Sequence, residues 1–282
     1  MTLAAVLAAL GVGIVAGLLS GLIGIGGGVL IVPFLYFFYA HPALFGHPVS
    51  AGLATVVAHA TSLFAIVPTA IRGTQAFHRS DLVVWPAVWP IGLASTVAAV
   101  AAAGVADRLP PQMLRVGFGV LLVFSGYRLL RQRNQAEGEV PHGSDHLRLT
   151  LPVTIGTGLV VGTFSALLGV GGGIVAIPLL MNVVGIDVRR VAGTSMGIIA
   201  ITSVAGVLAY VVGGIGEPGR PPLSLGYVDV AAGMAIFLGA LLSVPWGAKL
   251  NQRMNPRGLA LLFGTFLVLM GLRLVLENLG AL

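Results

Sequence analysis

Apolar residues run along this chain in long unbroken blocks separated by short polar stretches, with no strand-like alternation. The first Lys, Arg, Asp or Glu is Arg72. A membrane-spanning helix takes about 20 apolar residues. Six apolar runs, with no charge or a single one each, fit one span each: 50–71, 82–106, 113–127, 191–214, 229–248 and 258–276. Two others, 1–40 and 149–186, are too long for one crossing. About 37 residues of helix would reach about 55 Å, against a hydrocarbon core of about 30 Å. Each long run carries an interior glycine cluster: Gly24, Gly26, Gly27 and Gly28 in the first, Gly169, Gly171, Gly172 and Gly173 in the second. Three consecutive glycines are a poor helix interior. Each long run is therefore predicted to be a full helix, a break, and a shorter helix carrying Pro33 or Pro178.

The two halves repeat. GLLSGLIGIGGGVLIVPFL at 17–35 matches GTFSALLGVGGGIVAIPLL at 162–180, pairing Ser20 with Ser165, Gly24 with Gly169 and Pro33 with Pro178. Further pairs are Ala51-Gly52 with Ala192-Gly193, Thr61-Ser62 with Thr202-Ser203, Asp81 with Asp229, and Gly126 and Arg128 with Gly271 and Arg273. A polar stretch at 131–148 divides repeat 1–130 from repeat 149–282 and is expected to be a cytoplasmic linker. The fold predicted is an all-α polytopic membrane protein of two homologous repeats, each with four to five transmembrane segments and a glycine-broken first helix. If each broken run crosses once, the halves are parallel and the 15 Lys and Arg divide almost evenly across the membrane. If each crosses twice, the halves are inverted. Arg72, Arg79, Arg128, Arg131, Arg133, Arg148, Arg189, Arg190, Lys249, Arg253 and Arg257 then share one face, leaving Arg108, Arg115, Arg220 and Arg273 on the other. That bias follows the positive-inside rule. Inverted halves, with both termini outside, are the preferred expectation; re-entrant short helices are the alternative.

Composition agrees and narrows the function. The 282 residues are 57% hydrophobic and 9% charged, with 41 glycines; soluble domains carry about 25% charged residues. The net charge of +6 is scattered between apolar spans, which is topology charge and not a nucleic-acid face. Without cysteine there is no disulfide, zinc or iron–sulfur framework. The N-terminus has no basic stretch ahead of its apolar run, so it reads as a retained first span. No HExxH, GxSxG or Walker pattern is present, and no carboxylate lies mid-span, which disfavours a hydrolase, ATP drive or an acid-chain proton pump. No catalytic residue, metal or cofactor is expected.

Non-helical backbone survives in a bilayer only where protein buries it or it lines a wet cavity. Paired breaks at matching positions of two repeats point to a transporter's binding site. The helix after each break offers free N–H groups and a positive dipole end, which suits an anion. The candidate substrate-binding residues are Ser20, Gly24, Gly26, Gly27, Gly28, Thr61 and Ser62 in the first half. Their companions in the second are Ser165, Gly169, Gly171, Gly172, Gly173, Thr202 and Ser203. Gly17, Gly21, Gly24 and Gly28 also stand at small-xxx-small spacing, which packing alone explains; recurrence with a Pro and an upstream Ser favours a site. His59, mid-span and paired by this alignment with Ala200, is a proton acceptor, an anion donor or a neutral interhelical bond. Asp81 and Asp229 read as helix N-terminal caps, and Trp85 and Trp89 as interfacial anchors. His41, His47 and His78 are assigned to loops.

The doubled Gly-x-Gly-Gly-Gly followed five residues later by Pro, with the Ala-Gly…Thr-Ser stretches and terminal Gly-x-Arg pairs, resembles the paired signature of the sulfite exporter TauE/SafE family. The resemblance implies a multi-pass plasma-membrane permease for sulfite or organosulfonates such as sulfoacetate or taurine. The expectation is a secondary transporter working by alternating access. An anion channel is the alternative, and an intramembrane enzyme or scaffold comes third. The partners expected are the small anion and the lipid bilayer, with a homo-oligomer left open and no nucleic acid.

Overall fold

The computed structural model describes residues 1–45, 49, 50, 52–106, 108–135, 147–251, 253 and 256–279. His47, Ala51 and most of the 131–148 linker lie outside the described residues. The chain is an all-α polytopic membrane protein. Its helices are α1 (Leu3–Ile23), α2 (Gly28–Ala40), α3 (Pro42–Phe45), α4 (Ala54–His78), α5 (Trp85–Ala106) and α6 (Pro111–Gln135). The second half follows with α7 (Leu151–Leu168), α8 (Gly173–Leu179, continued by a π-helical turn at Leu180–Val184), α9 (Val188–Gly213), α10 (Val230–Asn251) and α11 (Pro256–Leu279). A two-residue hairpin, Ser224–Leu225 with Val228–Asp229, precedes α10. Among the described residues six helices, α1, α4, α5, α7, α9 and α10, are long and apolar enough to cross a bilayer. Exposed Leu7, Ile14, Leu93, Val97, Leu208, Leu238 and Leu242 coat the outside, as a lipid-facing surface requires and an aqueous one does not tolerate.

Both long apolar runs fold back on themselves. After α2 and α3 the chain is again beside its own start, where the Thr2 N–H donates to the Phe45 carbonyl at 3.3 Å. The second half does the same, with the Arg148 N–H donating to the Val184 carbonyl at 2.9 Å. The helices beyond the breaks thus return to the level from which α1 and α7 set out.

Close glycine contacts define the packing directions. A Cβ on Gly13, Gly17 or Gly21 of α1 would strike the backbone at Ile236, Ala240 and Val244 of α10 in that order, so these two helices run parallel. Gly158 and Gly162 of α7 meet the backbone at Ile91 and Ser95 of α5 in the same sense. In α6 and α11 the order reverses: Gly119 faces Gly271, and Gly126 faces Gly264. It reverses again for α4 and α9, where Phe77, Gly73 and Leu63 meet Gly193, Met196 and Gly206. Thus α4 lies antiparallel on α9 and α6 antiparallel on α11, whereas α1 runs parallel to α10 and α7 parallel to α5. Small residues allow this backbone approach where lipid supplies no hydrophobic drive.

Two helix-start assignments separate here. Asp229 lies buried directly before α10, where its carboxylate accepts from the Tyr39 hydroxyl at 3.1 Å and the Ala232 N–H at 3.0 Å. Asp81 instead sits in the turn ahead of α5, at φ 54°. His78, expected in a loop, is the last residue of α4 and accepts from the Trp85 indole N–H at 3.2 Å.

Candidate functional site at the paired helix breaks

The two breaks have the same backbone. Gly24, Gly26 and Gly27 have φ of 81°, 83° and 77°; Gly169, Gly171 and Gly172 have 65°, 72° and 79°. Non-glycine residues avoid this left-handed region at a cost of about 1–2 kcal/mol each. Gly24 closes α1 by donating its N–H to the Ser20 carbonyl at 2.8 Å. Gly27 and Gly172 then open the next helices, their carbonyls accepting from Leu30 and Ile31, and from Val175 and Ala176. Gly28 and Gly173 start those helices with ordinary negative φ.

The breaks touch. A Cβ at Gly28 would stand 2.6 Å from Val170 Cα, and one at Gly173 would stand 2.6 Å from Ile25 Cα. Gly24 abuts the backbone of Ala192 on α9, and Gly169 abuts that of His59 on α4. Ile66 and Ile199 close over both breaks: a Cβ on Gly26 would meet their Cγ2 atoms at 3.4 and 3.3 Å, one on Gly171 at 3.1 and 2.9 Å.

This geometry revises the register of the repeat. His59 stands where Ala192 stands and Ile66 where Ile199 stands, so Thr61 and Ser62 correspond to Thr194 and Ser195, not to Thr202 and Ser203. Hydrogen bonds agree. Thr61 Oγ1 accepts from the Asp229 N–H at 2.9 Å, and Thr194 Oγ1 accepts from the Val84 N–H at 3.0 Å, each tying the start of α10 or α5 to the helix beside it. The sequence repeats Thr-Ser three times, at 61–62, 194–195 and 202–203. Flanking residues alone favoured the wrong copy. Thr202 has a different bond, to Ser95 on α5. Ser203 remains at the site, its Oγ 3.4 Å from where a Gly171 Cβ would stand.

Among the described residues five buried side-chain atoms have no hydrogen-bond partner: His59 Nδ1 and the hydroxyls of Ser62, Ser165, Ser195 and Ser203. Ser20, the mate of Ser165, reaches only the Met196 sulfur at 3.6 Å. Buried polar groups are otherwise paired, and leaving one unmade costs about 1–3 kcal/mol. The five belong to the stretches of α4, α7 and α9 that meet the two abutting breaks.

Two cavities flank this centre. One, of about 580 Å³, lies between α1, α2, α6 and α11 and is lined by Leu30, Phe34, Tyr36, Phe37 and Arg115, with the Arg273–Glu277 ion pair at its rim. The other, of about 330 Å³, lies toward the opposite end of α6, against Phe124, Arg128, Ile174 and Pro178. Tyr36 lines the first cavity and its hydroxyl hydrogen-bonds His59 Nε2. Arg115 lies over the Tyr36 ring, 5.1 Å from its centroid, and donates from Nε to Thr55 Oγ1 at 3.1 Å. Sequence reading missed both residues, because a Tyr and an Arg near helix ends carry no pattern until α2 folds back against α6.

Comparison with known proteins matches the sulfite exporter TauE/SafE family over residues 9–274. Similar proteins include a probable membrane transporter protein of Methanocaldococcus jannaschii, 28% identical over 266 residues, spanning 94% of this chain and 93% of that one. Another, from Haemophilus influenzae, is 27% identical, over 94% and 96% of the two chains. The probable membrane transporter protein YunE of Bacillus subtilis is 24% identical, over 94% and 96%. No solved structure matches.

Proposed function

From the premise that this chain belongs to the sulfite exporter TauE/SafE family, we propose that it is a secondary permease moving a small anion across the plasma membrane by alternating access. Sulfite or an organosulfonate is the substrate class we favour, on the family's description. The observation that carries the reading is the set of unpartnered buried hydroxyls, Ser62, Ser165, Ser195 and Ser203, around the two breaks. Hydroxyl donors and the first N–H groups of α2 and of the Gly173–Val184 helix suit an oxyanion's several acceptors. We further propose that the halves are inverted repeats; the antiparallel packing of α4 on α9 and of α6 on α11 supports this.

In the conformation described the breaks are in contact; the larger cavity stops short of them and the smaller one reaches Ile25 and Ile174 at their edge, so the contact between the breaks stands between the two, as a carrier needs between its outward and inward states. A channel would need a continuous path. Purified protein in proteoliposomes, preloaded with unlabelled sulfite, sulfoacetate or taurine, should take up the labelled compound by counterflow and saturate. Folded protein that transports none of the three defeats the reading. Uptake linear in concentration without counterflow would establish a channel instead.

A further inference from the structure

The scaffold is two-fold in its backbone, but its polar decoration is one-sided. From the 580 Å³ cavity a chain of groups leads inward: Arg115 over the Tyr36 ring, the Tyr36 hydroxyl on His59 Nε2, and His59 itself, fully buried, with Nδ1 unpartnered. His59 shares backbone contact with Gly169 of the second break. The two-fold mates are apolar. His59 corresponds to Ala192, and Tyr36, three residues after Pro33, corresponds to Met181, three after Pro178. The packing and closing residues recur in both halves, whereas this chain occurs once. It is therefore not part of what the symmetric fold needs.

We propose that the permease is proton-coupled at His59, with Tyr36 linking the imidazole to the cavity on the face that carries both termini. That cavity is flanked by Glu277 and Asn278 near the end of α11, by His41 after α2 and by Gly11 in α1, which places it toward the termini. A proton entering there adds to the phenolic oxygen as the phenol passes its own to Nε2; Tyr36 stays neutral and His59 becomes an imidazolium. On release the proton leaves with the anion to the opposite face and His59 is neutral again, so one proton and one anion cross per cycle. The groups facing His59 explain why the two travel together. From α2 come Tyr36 and Tyr39, from α6 Arg115, and from the start of α10 Asp229, held by Tyr39 and by Thr61 on α4. The break at 169–173 and α9 over 191–203 contribute no titratable side chain. Asp229 is already engaged by Tyr39 and the Ala232 N–H, so a second cation beside Arg115 lacks a free counter-charge until an anion binds between the breaks. Anion and proton then each raise the other's affinity by the same factor.

The inference rests on the permease reading, and its test separates the two. Proteoliposomes with an entrapped pH dye receive sulfoacetate, whose sulfonate and carboxylate are both ionised near neutral pH and carry no proton of their own. Counterflow of labelled sulfoacetate is measured on the same vesicles. Wild type should acidify the lumen as sulfoacetate enters and accumulate it at least tenfold under an imposed pH gradient. H59Q should lose the proton-to-anion ratio whatever exchange rate it retains. Y36F, which keeps the ring and its packing, should lower gradient-driven accumulation at least tenfold and shift its pH profile. Intact counterflow without lumen acidification overturns the coupling and leaves the permease standing; absent counterflow removes both. An H59Q protein with the wild-type proton-to-anion ratio and a raised KM makes His59 an anion ligand and refutes the proposal. So does a Y36F protein with wild-type accumulation, which decides the matter should H59Q fail to fold.

Discussion

Gly28→Ala and Gly173→Ala test whether the abutting breaks belong to the working cycle. Both glycines have ordinary negative φ, so alanine brings no backbone strain there. What it brings is a methyl 2.6 Å from Val170 Cα or from Ile25 Cα, with backbone oxygens at 3.0 Å and 2.7 Å. Non-bonded carbons prefer about 3.5–4.0 Å, so the breaks must part by about 1 Å. Overpacking of this kind costs about 1–3 kcal/mol. Each variant should melt lower in detergent by several degrees, since about 2 kcal/mol corresponds to roughly 4–8 °C in a chain of this size. If every cycle passes through the closed state, the same 2 kcal/mol slows counterflow about 30-fold. Gly117→Ala and Gly156→Ala, where a Cβ meets nothing within 4 Å, are the controls and should be silent. The nearest contact is 2.6 Å in both halves, so the two variants should be impaired to a similar degree. Wild-type melting and counterflow in both would show that the contact is not used. A tenfold disparity between them would refute the two-fold equivalence of the breaks.

Ser62→Ala and Ser195→Ala should leave the melting temperature unchanged, because neither hydroxyl has a protein partner, while raising the KM of counterflow at least threefold; a clear drop in melting would reveal a structural bond instead. Thr61→Val and Thr194→Val strip the acceptors from the buried N–H groups of Asp229 and Val84 and should each destabilise by about 1–3 kcal/mol, measured by thermal unfolding, with near-equal losses if the pairing is two-fold. The chain has no cysteine, so single substitutions report topology cleanly. Cysteine at exposed Ser80, in the α4–α5 connection, and at exposed Glu217, in the α9–α10 connection, should label from opposite faces with a membrane-impermeant maleimide; labelling from the same face would sink the inverted arrangement.

The breaks were legible because glycine clusters are a backbone signal: Gly26-Gly27-Gly28 and Gly171-Gly172-Gly173 stand in the sequence at the positions where helices stop. Helix positions, though not their lengths, followed from the apolar runs: α6 extends over Pro111–Gln135 where the run covers 113–127. The direction of the short helices had only the arginine distribution as a guide, whereas the Thr2–Phe45 and Arg148–Val184 bonds give it directly. What misled was local likeness. Thr202-Ser203 resembles Thr61-Ser62 as closely as Thr194-Ser195 does, and only the contacts of His59 with Gly169 and of Ala192 with Gly24 decide between them. Ile66 and Ile199 were invisible because isoleucine in a membrane span is the commonest background; their role is the point they occupy between two breaks distant in sequence. Tyr36 and Arg115 were missed because their meeting needs α2 to fold back and α6 to stand beside it.

The packing also decides which bodies can move. The interfaces that join α1 to α10 and α7 to α5 cross between the sequence halves, and glycine brings backbone onto backbone at successive turns along them. Such an interface has few side chains to repack, so it does not slide without breaking. The same holds for α6 on α11. If the chain works by alternating access as proposed, the bodies that move are therefore not residues 1–130 and 149–282. They are mixed units, one holding α1 with α10 and the other α7 with α5. Between them, beside the backbone contacts of the breaks themselves, lie contacts of a different kind: Met196 over Gly73, Leu63 against Gly206, and the isoleucines over the breaks. Those are side-chain contacts, which can exchange rotamers in small shear steps. His59, Ser62, Ser195 and Ser203 project from the two helices that make this face, and Ser165 stands at the break beside it. The side-chain contacts that can shear thus lie beside the polar atoms that, among the described residues, lack partners, as expected if a bound anion, rather than protein, completes this face.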